Sequence, residues 1–253
     1  MDNDDKQVGR ILTRREVLAL LGAAGAGAVA SRLKAQPVLE RVVAAAPVPG
    51  EIWMPACVVT PAQTEGPYFV DEKLNRVDIR SDPGTGKASA GAPLDVEMRV
   101  FRVANGTCEP LAGAMVDIWQ CDAAGVYSDV RDTTVGFNTA GQKFLRGYQM
   151  TDASGVAKFT TIYPGWYQGR TVHIHFKVRT KSGARDLEFT SQLYFDDAFT
   201  DRVFTKAPYS SKTGTRTPNE RDGIFGQGGR QLMMAVAEKG TGYHGTFDIG
   251  MTV

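Results

Sequence analysis

Short runs of alternating apolar and polar residues, separated by turn-forming residues, constrain the fold of this chain more than any other feature. Leu94–Val100 alternates strictly, which is the period of a strand with one buried face. Asn105-Gly106, Asp152–Gly155 and Lys239–Gly242 are rich in residues that form tight turns. No long amphipathic helix competes with these strands. The pattern predicts an all-β fold, an antiparallel β-sandwich with long loops, rather than an α/β fold.

The predicted strands are short and are flanked by Gly, Pro, Asn or Asp. They are Leu94–Val100, Ala114–Gln120, Val156–Ile162, Val172–Arg179, Glu188–Phe195, Gln231–Glu238 and Tyr243–Thr252. Residues 37–60 and 203–229 follow neither the strand nor the helix period, so we expect an N-terminal arm and an irregular loop there. The sequence contains no internal repeat.

Chain length and charge balance limit the number of domains and the class of ligand. The 253 residues, of which 42% are hydrophobic, can bury one large core, since domains contain roughly 100 to 200 residues. We expect this single domain at residues 61–253. The 29 basic and 28 acidic residues nearly cancel, and no basic stripe interleaved with aromatic residues is present. Small molecules rather than nucleic acid are the expected ligands, and the oligomeric state, a homo-oligomer included, stays open.

Residues 1–36 differ in composition from the rest of the chain. Arg14-Arg15 precedes an apolar run, Val17–Ala30, and a run of about 14 residues is shorter than the roughly 20 that a membrane-spanning helix needs. A basic flank, an apolar stretch and a small-residue exit are typical of a signal peptide, and Thr13–Leu18 resembles a twin-arginine signal. We therefore expect export to the periplasm or the extracellular space without a stable membrane anchor. The alternative is a mobile amphipathic or Ala-rich N-terminal tail.

The chain has three cysteines, Cys57, Cys108 and Cys121. In an exported protein they allow one disulfide and one free thiol. Cys108 and Cys121 bracket a predicted strand, whose extended length would hold them too far apart to bond directly. We favour Cys57 with Cys121, although the sequence alone does not pair them.

Two of the three histidines lie two residues apart in a predicted strand. His173 and His175 project from one face because the strand alternates, and the apolar residues around them project from the other. Neighbouring imidazoles can chelate a metal without specifying which one. The alternative is a pair of surface or hydrogen-bonded histidines.

Two tyrosines follow predicted strands and glycine-containing turns. Tyr127 comes shortly after Gly125, and Tyr167 follows the Pro164-Gly165 turn. Taken singly, each is typical of a structural aromatic residue. Tyr163 is a competing candidate, which we expect to be buried in the preceding strand.

Several motifs together resemble the intradiol ring-cleavage dioxygenases, the family of the protocatechuate and catechol enzymes. The matching segments are Thr64–Phe69, Gly113–Tyr127, Phe144–Gly147, Tyr163–Tyr167, Arg170–His175 and Gln192–Phe195. The resemblance covers most of residues 58–252. Between the leader and Cys57, nothing resembles the helical dimerisation region of the catechol branch, so the chain looks more like protocatechuate-type subunits or secreted relatives.

The resemblance implies a non-haem Fe(III) site held by Tyr127, Tyr167, His173 and His175. A phenol, whose pKa is near 10, must lose its proton to bind a metal, and the resulting hard anionic oxygen favours Fe(III). The resemblance also implies that Tyr167 is the tyrosine displaced by substrate, and that its released phenolate can accept a substrate proton.

Further residues match the family's active site. Arg170 matches an arginine that stabilises negative charge on the ring, and Gln192 matches a glutamine near the oxygen-binding region. The segment that resembles the substrate-pocket lining of the protocatechuate branch contributes Thr64, Gly66, Pro67 and Tyr68. A tight turn is the alternative interpretation of that segment.

The implied reaction is the insertion of O2 into a catechol-type aromatic ring. The bond between the two hydroxylated carbons breaks and gives a muconate-type diacid, with iron as Lewis acid and template. Export favours plant- or lignin-derived catechols over a role in central metabolism. The alternative function is a non-catalytic exported β-sandwich module that binds a metal or a carbohydrate.

Overall fold

The computed structural model describes residues 58–134 and 136–253, which are mostly β-structure. The strands are β1 (Pro93–Ala104), β2 (Thr107–Pro110), β3 (Met115–Trp119), β4 (Arg131–Asp132), β5 (Phe137–Asn138), β6 (Arg146–Met150), β7 (Val156–Ile162), β8 (His173–Ser182), β9 (Arg185–Tyr194), β10 (Ala235–Lys239) and β11 (Gly242–Met251). The helical segments are α1 (Asp197–Phe204) and the 3-10 turns Tyr209–Ser211, Asn219–Arg221 and Gly229–Gln231. The predicted leader, and the predicted arm as far as Cys57, lie outside the described residues.

The strands form two sheets and a small ribbon. In the first sheet, β1 pairs in parallel with β11 and antiparallel with β7 and β2, while β10 pairs with the far edge of β11. The second sheet has the antiparallel order β6-β3-β8-β9. β4 and β5 form the ribbon. The predicted β-sandwich is confirmed, with the β1–β11 pair as a parallel exception.

The main core lies between the two sheets. Leu94, Val96 and Met98 of β1 are each at most 2% exposed, as the alternation predicts. They join one apolar cluster with Ile174 and Phe176 of β8, which are fully buried. Because burying a large apolar side chain contributes roughly 1.5–3 kcal/mol, this alternation holds the sheets together.

The seven predicted strands correspond to β1, β3 and β7–β11, with a displaced start at β10, whereas β2, β4, β5 and β6 were not predicted. β7 coincides with the predicted Val156–Ile162. The prediction of a strand over Gln231–Glu238 was wrong at its start, because β10 begins at Ala235. The preceding backbone pairs with the end of β9 instead, through a bridge between Tyr194 and Met233.

Two of the predicted turns close hairpins. Asn105 and Gly106 have φ of 50° and 77°, the left-handed conformations that a two-residue hairpin loop needs, and they connect β1 to β2. Lys239 pairs with Gly242 where β10 turns into β11.

Helix α1 lies in a region without a predicted helix. Asp196 caps its N-terminus, since Oδ1 accepts a hydrogen bond from the backbone N of Phe199 at 2.7 Å. An aspartate before a short polar-apolar run is the sequence signal that could have identified it. No helix in the described ranges is long and apolar enough to cross a membrane.

The second sheet is covered on its outer face as well. The backbone N of Gln63 donates to the carbonyl of Thr190 at 3.1 Å, and Ser191 Oγ donates to the carbonyl of Pro61 at 2.7 Å. Lys177 on β8 is 4% exposed and forms an ion pair with Glu65. Residues 60–76 therefore form a covering segment over this face, which explains why β8 is buried on both sides.

The cysteines do not pair as expected. Cys108 on β2 is disulfide-bonded, whereas Cys121 is a free thiol with 2% exposure. The preference for Cys57 with Cys121 was therefore wrong. Cys121 packs with Trp119 and Tyr127 in a small second apolar cluster, and Cys57 lies outside the described residues.

Candidate metal centre

Two imidazoles meet on the covered outer face of the second sheet. His173 and His175 are 2% and 1% exposed, and their Nε2 atoms are 3.0 Å apart. The pairing of β3 with β8 places Trp119 beside His175, and the two rings stack with centroids 5.0 Å apart. The structure thus places both histidines on one face, as the alternation predicts, and packing fixes the orientation of the second ring.

A hydrogen bond sets the tautomer of His173. Its Nδ1 lies 2.6 Å from the carbonyl oxygen of Thr171. A carbonyl can only accept, so Nδ1 carries the proton and Nε2 presents a lone pair. Burial and then the charge of Arg170 lower the pKa of His173 to about 3, and burial and then His173 lower the pKa of His175 well below its usual value. Both rings are held neutral, the form that binds a metal.

Two tyrosine hydroxyls converge on the same point. The Oη atoms of Tyr127 and Tyr167 each lie 3.3 Å from Nε2 of His173. Tyr127 follows the turn after β3, and Tyr167 lies in the connection between β7 and β8. Three separate parts of the chain therefore direct two nitrogens and two oxygens into one small volume.

Both phenols are buried deeply enough to resist ionisation by themselves. Burial raises the pKa of Tyr167 to about 12 and raises the pKa of Tyr127 well above its usual value. A phenolate in this position needs a nearby positive charge to offset the loss of solvation. A multivalent cation between the four side chains would provide that charge and would displace the phenol protons.

The donor set fits one metal ion with mixed nitrogen and oxygen ligation. Among residues 58–134 and 136–253, no group of three or more His, Cys, Asp and Glu side chains could hold a metal. The phenol oxygens are therefore needed to complete a site around the two imidazoles. Hard anionic oxygens together with imidazole nitrogens suit iron, Fe(III) in particular.

Arg170 and Gln192 lie at the edge of the four donors. Arg170 Nη1 is 3.5 Å from Nε2 of His173, and Nη2 donates a hydrogen bond to Oε1 of Gln192. Gln192 is fully buried on β9, and its Nε2 donates to the carbonyl of Thr64 at 2.9 Å. Burial alone would lower the pKa of Arg170, but its interactions with Tyr167 and with the Asp222 carboxylate raise it. The guanidinium therefore stays charged beside the donors.

Asp222 belongs to the site and was missed by the sequence analysis. Its Oδ2 accepts hydrogen bonds at 2.8 Å from Nε of Arg170 and from the backbone N of Thr171. Burial alone would raise the pKa of Asp222, but Arg170 and the backbone donors hold it below its usual value. Nothing in the sequence around Asp222 signals this contact. The loop prediction for residues 203–229 described their irregular backbone but not their contacts with the site.

The residues predicted to line the substrate pocket belong to the covering segment, and they lie at different distances from the site. A Cβ built on Gly66, whose φ is +72°, would lie 3.2 Å from Cε1 of His175, so the backbone passes directly over that ring. Thr64 accepts from Gln192 through its carbonyl. Pro67 is exposed.

Tyr68 stands beside both predicted tyrosine ligands. Its ring stacks on Tyr127 with centroids 4.5 Å apart and meets Tyr167 edge-on at 6.2 Å. Its hydroxyl donates to Oδ2 of Asp132 at 2.5 Å. By contrast Tyr163 lies in the main core, fully buried, with its hydroxyl 2.7 Å from Oγ1 of Thr200. Tyr163 is therefore excluded as a donor to this site.

The fold and the site together define a β-sandwich protein with a candidate two-tyrosine, two-histidine metal centre. A family model described as "Dioxygenase" matches residues 64–218, a range that contains all four donors. The chain belongs to the intradiol ring-cleavage dioxygenase family.

Solved structures support the fold over most of the chain. An intradiol ring-cleavage dioxygenase from Tetranychus urticae is 29% identical, with a TM-score of 0.67 and coverage of 78% of this chain and 95% of that one. The dioxygenase domain of a dioxygenase carbohydrate-binding protein fusion from the cellulolytic bacterium Streptomyces sp. SirexAA-E is 33% identical, with a TM-score of 0.54 and coverage of 78% and 99%.

Curated relatives match over smaller parts of this chain. Catechol 1,2-dioxygenase 1 of Acinetobacter lwoffii is 26% identical over 185 residues, 61% of this chain and 55% of that protein. The protocatechuate 3,4-dioxygenase beta chain of Burkholderia cepacia is 32% identical over 123 residues, 44% of this chain and 50% of that protein. The chain spans about half the length of the curated relatives it matches.

Proposed function

We propose that this protein is a non-haem iron(III)-dependent intradiol dioxygenase acting on a catechol-type aromatic substrate. The observation that carries the proposal is the convergence of the hydroxyls of Tyr127 and Tyr167 with the Nε2 atoms of His173 and His175. The distant catechol and protocatechuate enzymes among its relatives support the substrate class. The products would be muconate-type diacids.

These four side chains would hold the iron. When bound, ferric iron supplies a Lewis acid that binds and orients both catechol oxygens. The overall reaction adds both atoms of O2 to the ring and breaks the bond between the two hydroxyl-bearing carbons. Each of these carbons becomes a carboxyl carbon, so no external electron donor is consumed.

Tyr167 is the proposed proton acceptor. It is half-buried, whereas Tyr127 is 1% exposed, so Tyr167 has more freedom to leave the donor set. Its phenolate Oη would accept the proton of a substrate hydroxyl, which is general base catalysis by a group already beside the reacting atoms.

Arg170, held in place by Gln192, would stabilise negative charge on the substrate ring. The guanidinium of Arg170 is aimed at the donors and is held there by Asp222 on one side and Gln192 on the other. A fixed positive charge in a buried site stabilises negative charge that develops on a deprotonated ring. Gly66 and Tyr68 would confine the ring, since both lie against the donor side chains.

A visible absorption spectrum of iron-loaded protein tests the proposal. Tyrosinate bound to Fe(III) absorbs visible light, so we expect a coloured protein whose spectrum shifts when catechol is added without oxygen. Addition of oxygen should then consume O2 and release a diacid in equal amounts. A protein that takes up one iron and remains colourless would refute the tyrosinate ligands. A protein that rejects iron and binds zinc, copper or a carbohydrate would instead support the non-catalytic binding module.

We also propose export through the twin-arginine pathway to the periplasm or the extracellular space. Arg14-Arg15 followed by the apolar run Val17–Ala30 supports this, and so does the disulfide at Cys108, because disulfides persist in oxidising compartments. Replacing both Arg14 and Arg15 with lysine should retain the protein in the cytoplasm, as measured by cell fractionation. Unchanged export of that variant would refute the pathway.

A further inference from the structure

The loops that carry Tyr127 and Tyr167 touch each other through their backbones. A Cβ built on Gly125, whose φ is +86°, would lie 2.2 Å from the carbonyl oxygen of Trp166. A Cβ built on Gly165 would lie 2.3 Å from the carbonyl oxygen of Asp122. Neither position has room for a side chain. The relative placement of the two tyrosines therefore depends on how these two loops are held against each other.

Lys212 joins the two loops from outside. Its Nζ donates hydrogen bonds to the carbonyl oxygens of Ala124 and Trp166, one on each loop. The same atom lies 4.4 Å from the ring centroid of Trp166, a distance typical of a cation–π contact. A single ammonium group thus bridges the segment before Tyr127 and the residue before Tyr167.

Hydrogen bonds also hold the backbone of Lys212 in place. The backbone N of Lys212 donates to the carbonyl of Tyr209 at 3.0 Å. The hydroxyl of Tyr209, which is 4% exposed, donates to the carbonyl of Tyr163 at 2.6 Å and accepts from the backbone N of Ala92 at 3.0 Å. The lysine therefore extends from a fixed point in the core, unlike a mobile surface lysine.

The bonded atoms distinguish this lysine from an ordinary charged surface residue. Backbone carbonyls accept hydrogen bonds from a lysine without forming an ion pair, and such bonds hold the main chain in place rather than a side chain. Ala124 is three residues before Tyr127, and Trp166 is directly before Tyr167. A change in either backbone path would alter the separation of the two hydroxyls, and metal sites tolerate misplacement of only roughly 0.5 Å.

We propose that Lys212 is a positioning residue, which sets the separation of the Tyr127 and Tyr167 hydroxyls by tying their two loops together. The inference deepens the proposed function, on which its spectroscopic consequences rest. The hydrogen bonds from Lys212 to the two loops, called the tie below, do not require iron and can be tested in the metal-free protein.

The principal test replaces Lys212 with methionine, which keeps the aliphatic chain and removes the donors. Lys206→Met is the matched control, because Lys206 lies on the same segment and is exposed. In the metal-free protein, hydrogen exchange of the amides in residues 122–127 and 165–171 should accelerate in Lys212→Met and remain unchanged in Lys206→Met. Equal exchange in Lys212→Met and the unchanged protein would overturn the proposal.

The iron-loaded proteins give the second readout. We expect roughly tenfold or greater weakening of iron affinity, typical of losing a group that orients a metal ligand, and a displaced tyrosinate absorption band in Lys212→Met. If the unchanged protein shows the band and Lys212→Met shows the same band and affinity, Lys212 has no positioning role. If the unchanged protein takes up iron without any band, the proposed function fails, while the exchange measurement still decides whether the tie exists.

Native labelling keeps the test independent of variant folding. With an amine-specific acetylating reagent on the unchanged protein, Lys212 should react much more slowly than Lys206, because its Nζ is engaged by two carbonyls. Equal reactivity of the two lysines would contradict the tie even if Lys212→Met does not fold.

Discussion

Asp222 and Arg170 form a buried ion pair, in which Nε of Arg170 donates to Oδ2 of Asp222 at 2.8 Å. The side chains are 1% and 15% exposed, respectively. The pair connects the long loop after α1 to the candidate metal centre. It also leaves Nη1 and Nη2 of Arg170 directed at His173 and Gln192.

Replacing Asp222 with asparagine should weaken both stability and activity. The change leaves the buried guanidinium without its counter-charge, and breaking a buried pair in this way costs about 3–5 kcal/mol. A free-energy loss of that size should be measurable by urea unfolding. We also expect kcat/KM to fall roughly 10- to 100-fold, as when residues that orient active-site groups are removed.

Glu220→Gln is the control for the loss of one negative charge from the same loop. Glu220 pairs with Arg230, and the two side chains are 67% and 78% exposed. Exposed pairs contribute little to stability because water screens them. This variant should unfold and turn over substrate like the unchanged protein. Equal behaviour of the Asp222 and Glu220 variants would show that the buried pair does not orient Arg170.

Tyr167→Phe should remove activity and change the colour without unfolding the protein. Only one hydroxyl is lost, but it is both a proposed metal ligand and the proposed proton acceptor. We expect kcat to fall by at least about 10²-fold, the lower range for loss of a general base. The spectrum should lose one of two tyrosinate contributions. Steady-state oxygen uptake and absorption of the iron-loaded variant measure the two effects.

Tyr163→Phe is the matched control because the chemical change is identical and lies in the core. Tyr163 is fully buried and bonds Thr200, so removal of its hydroxyl should cost about 1 kcal/mol of stability. Its colour and kcat should be unchanged. Retention of full colour and activity in Tyr167→Phe would contradict the proposed role of Tyr167.

Gly66→Ala should strain the backbone and, in addition, displace His175 in the metal site. The left-handed φ of +72° costs an alanine roughly 1–2 kcal/mol, and the new methyl group would lie 3.2 Å from Cε1 of His175. Gly86 has nearly the same φ, +71°, with no atom within 4 Å of a built Cβ. Gly86→Ala should therefore lose similar stability while keeping iron affinity and KM. Equal iron affinity and KM in both alanine variants would show that contact with His175 is unimportant.

Cys121 should remain unmodified by thiol reagents in the native protein. It is 2% exposed, and burial raises the pKa of its thiol to about 12. Raising the pH from 7 to about 9 should therefore generate little of the reactive thiolate. Mass spectrometry of the peptide containing Cys121 after iodoacetamide treatment should show labelling only in denaturant. Rapid native labelling at this position would refute its burial.

Local patterns were sufficient to predict much of this molecule. The alternation of Leu94–Val100 identified a strand of the main core, and the alternation around His173 and His175 placed both rings on one face. Asn105-Gly106 specified a hairpin through its left-handed φ values. These features depend on neighbours in the chain, so the periodicity and turn chemistry of the sequence contain them.

Contacts between distant segments were not predictable in the same way. Asp222 reaches Arg170 across 52 residues, and Lys212 reaches Trp166 across 46, from a loop whose sequence has no regular period. The cysteine pairing also failed, since Cys121 is buried as a free thiol in the cluster around Trp119.

The sequence by itself determined most of the strands and two hairpin turns, because these follow from short-range sterics and from the burial of one strand face. It also determined the kinds of donor atom available, because these follow from the residue types. The family resemblance already grouped Tyr127 and Tyr167 with the two histidines, but only the tertiary structure decided how closely the hydroxyls approach His173 and that residues 60–76 cover the site. The physical reason is that side chains from separate loops converge only after the two sheets have packed and their connections have been tied together by backbone contacts.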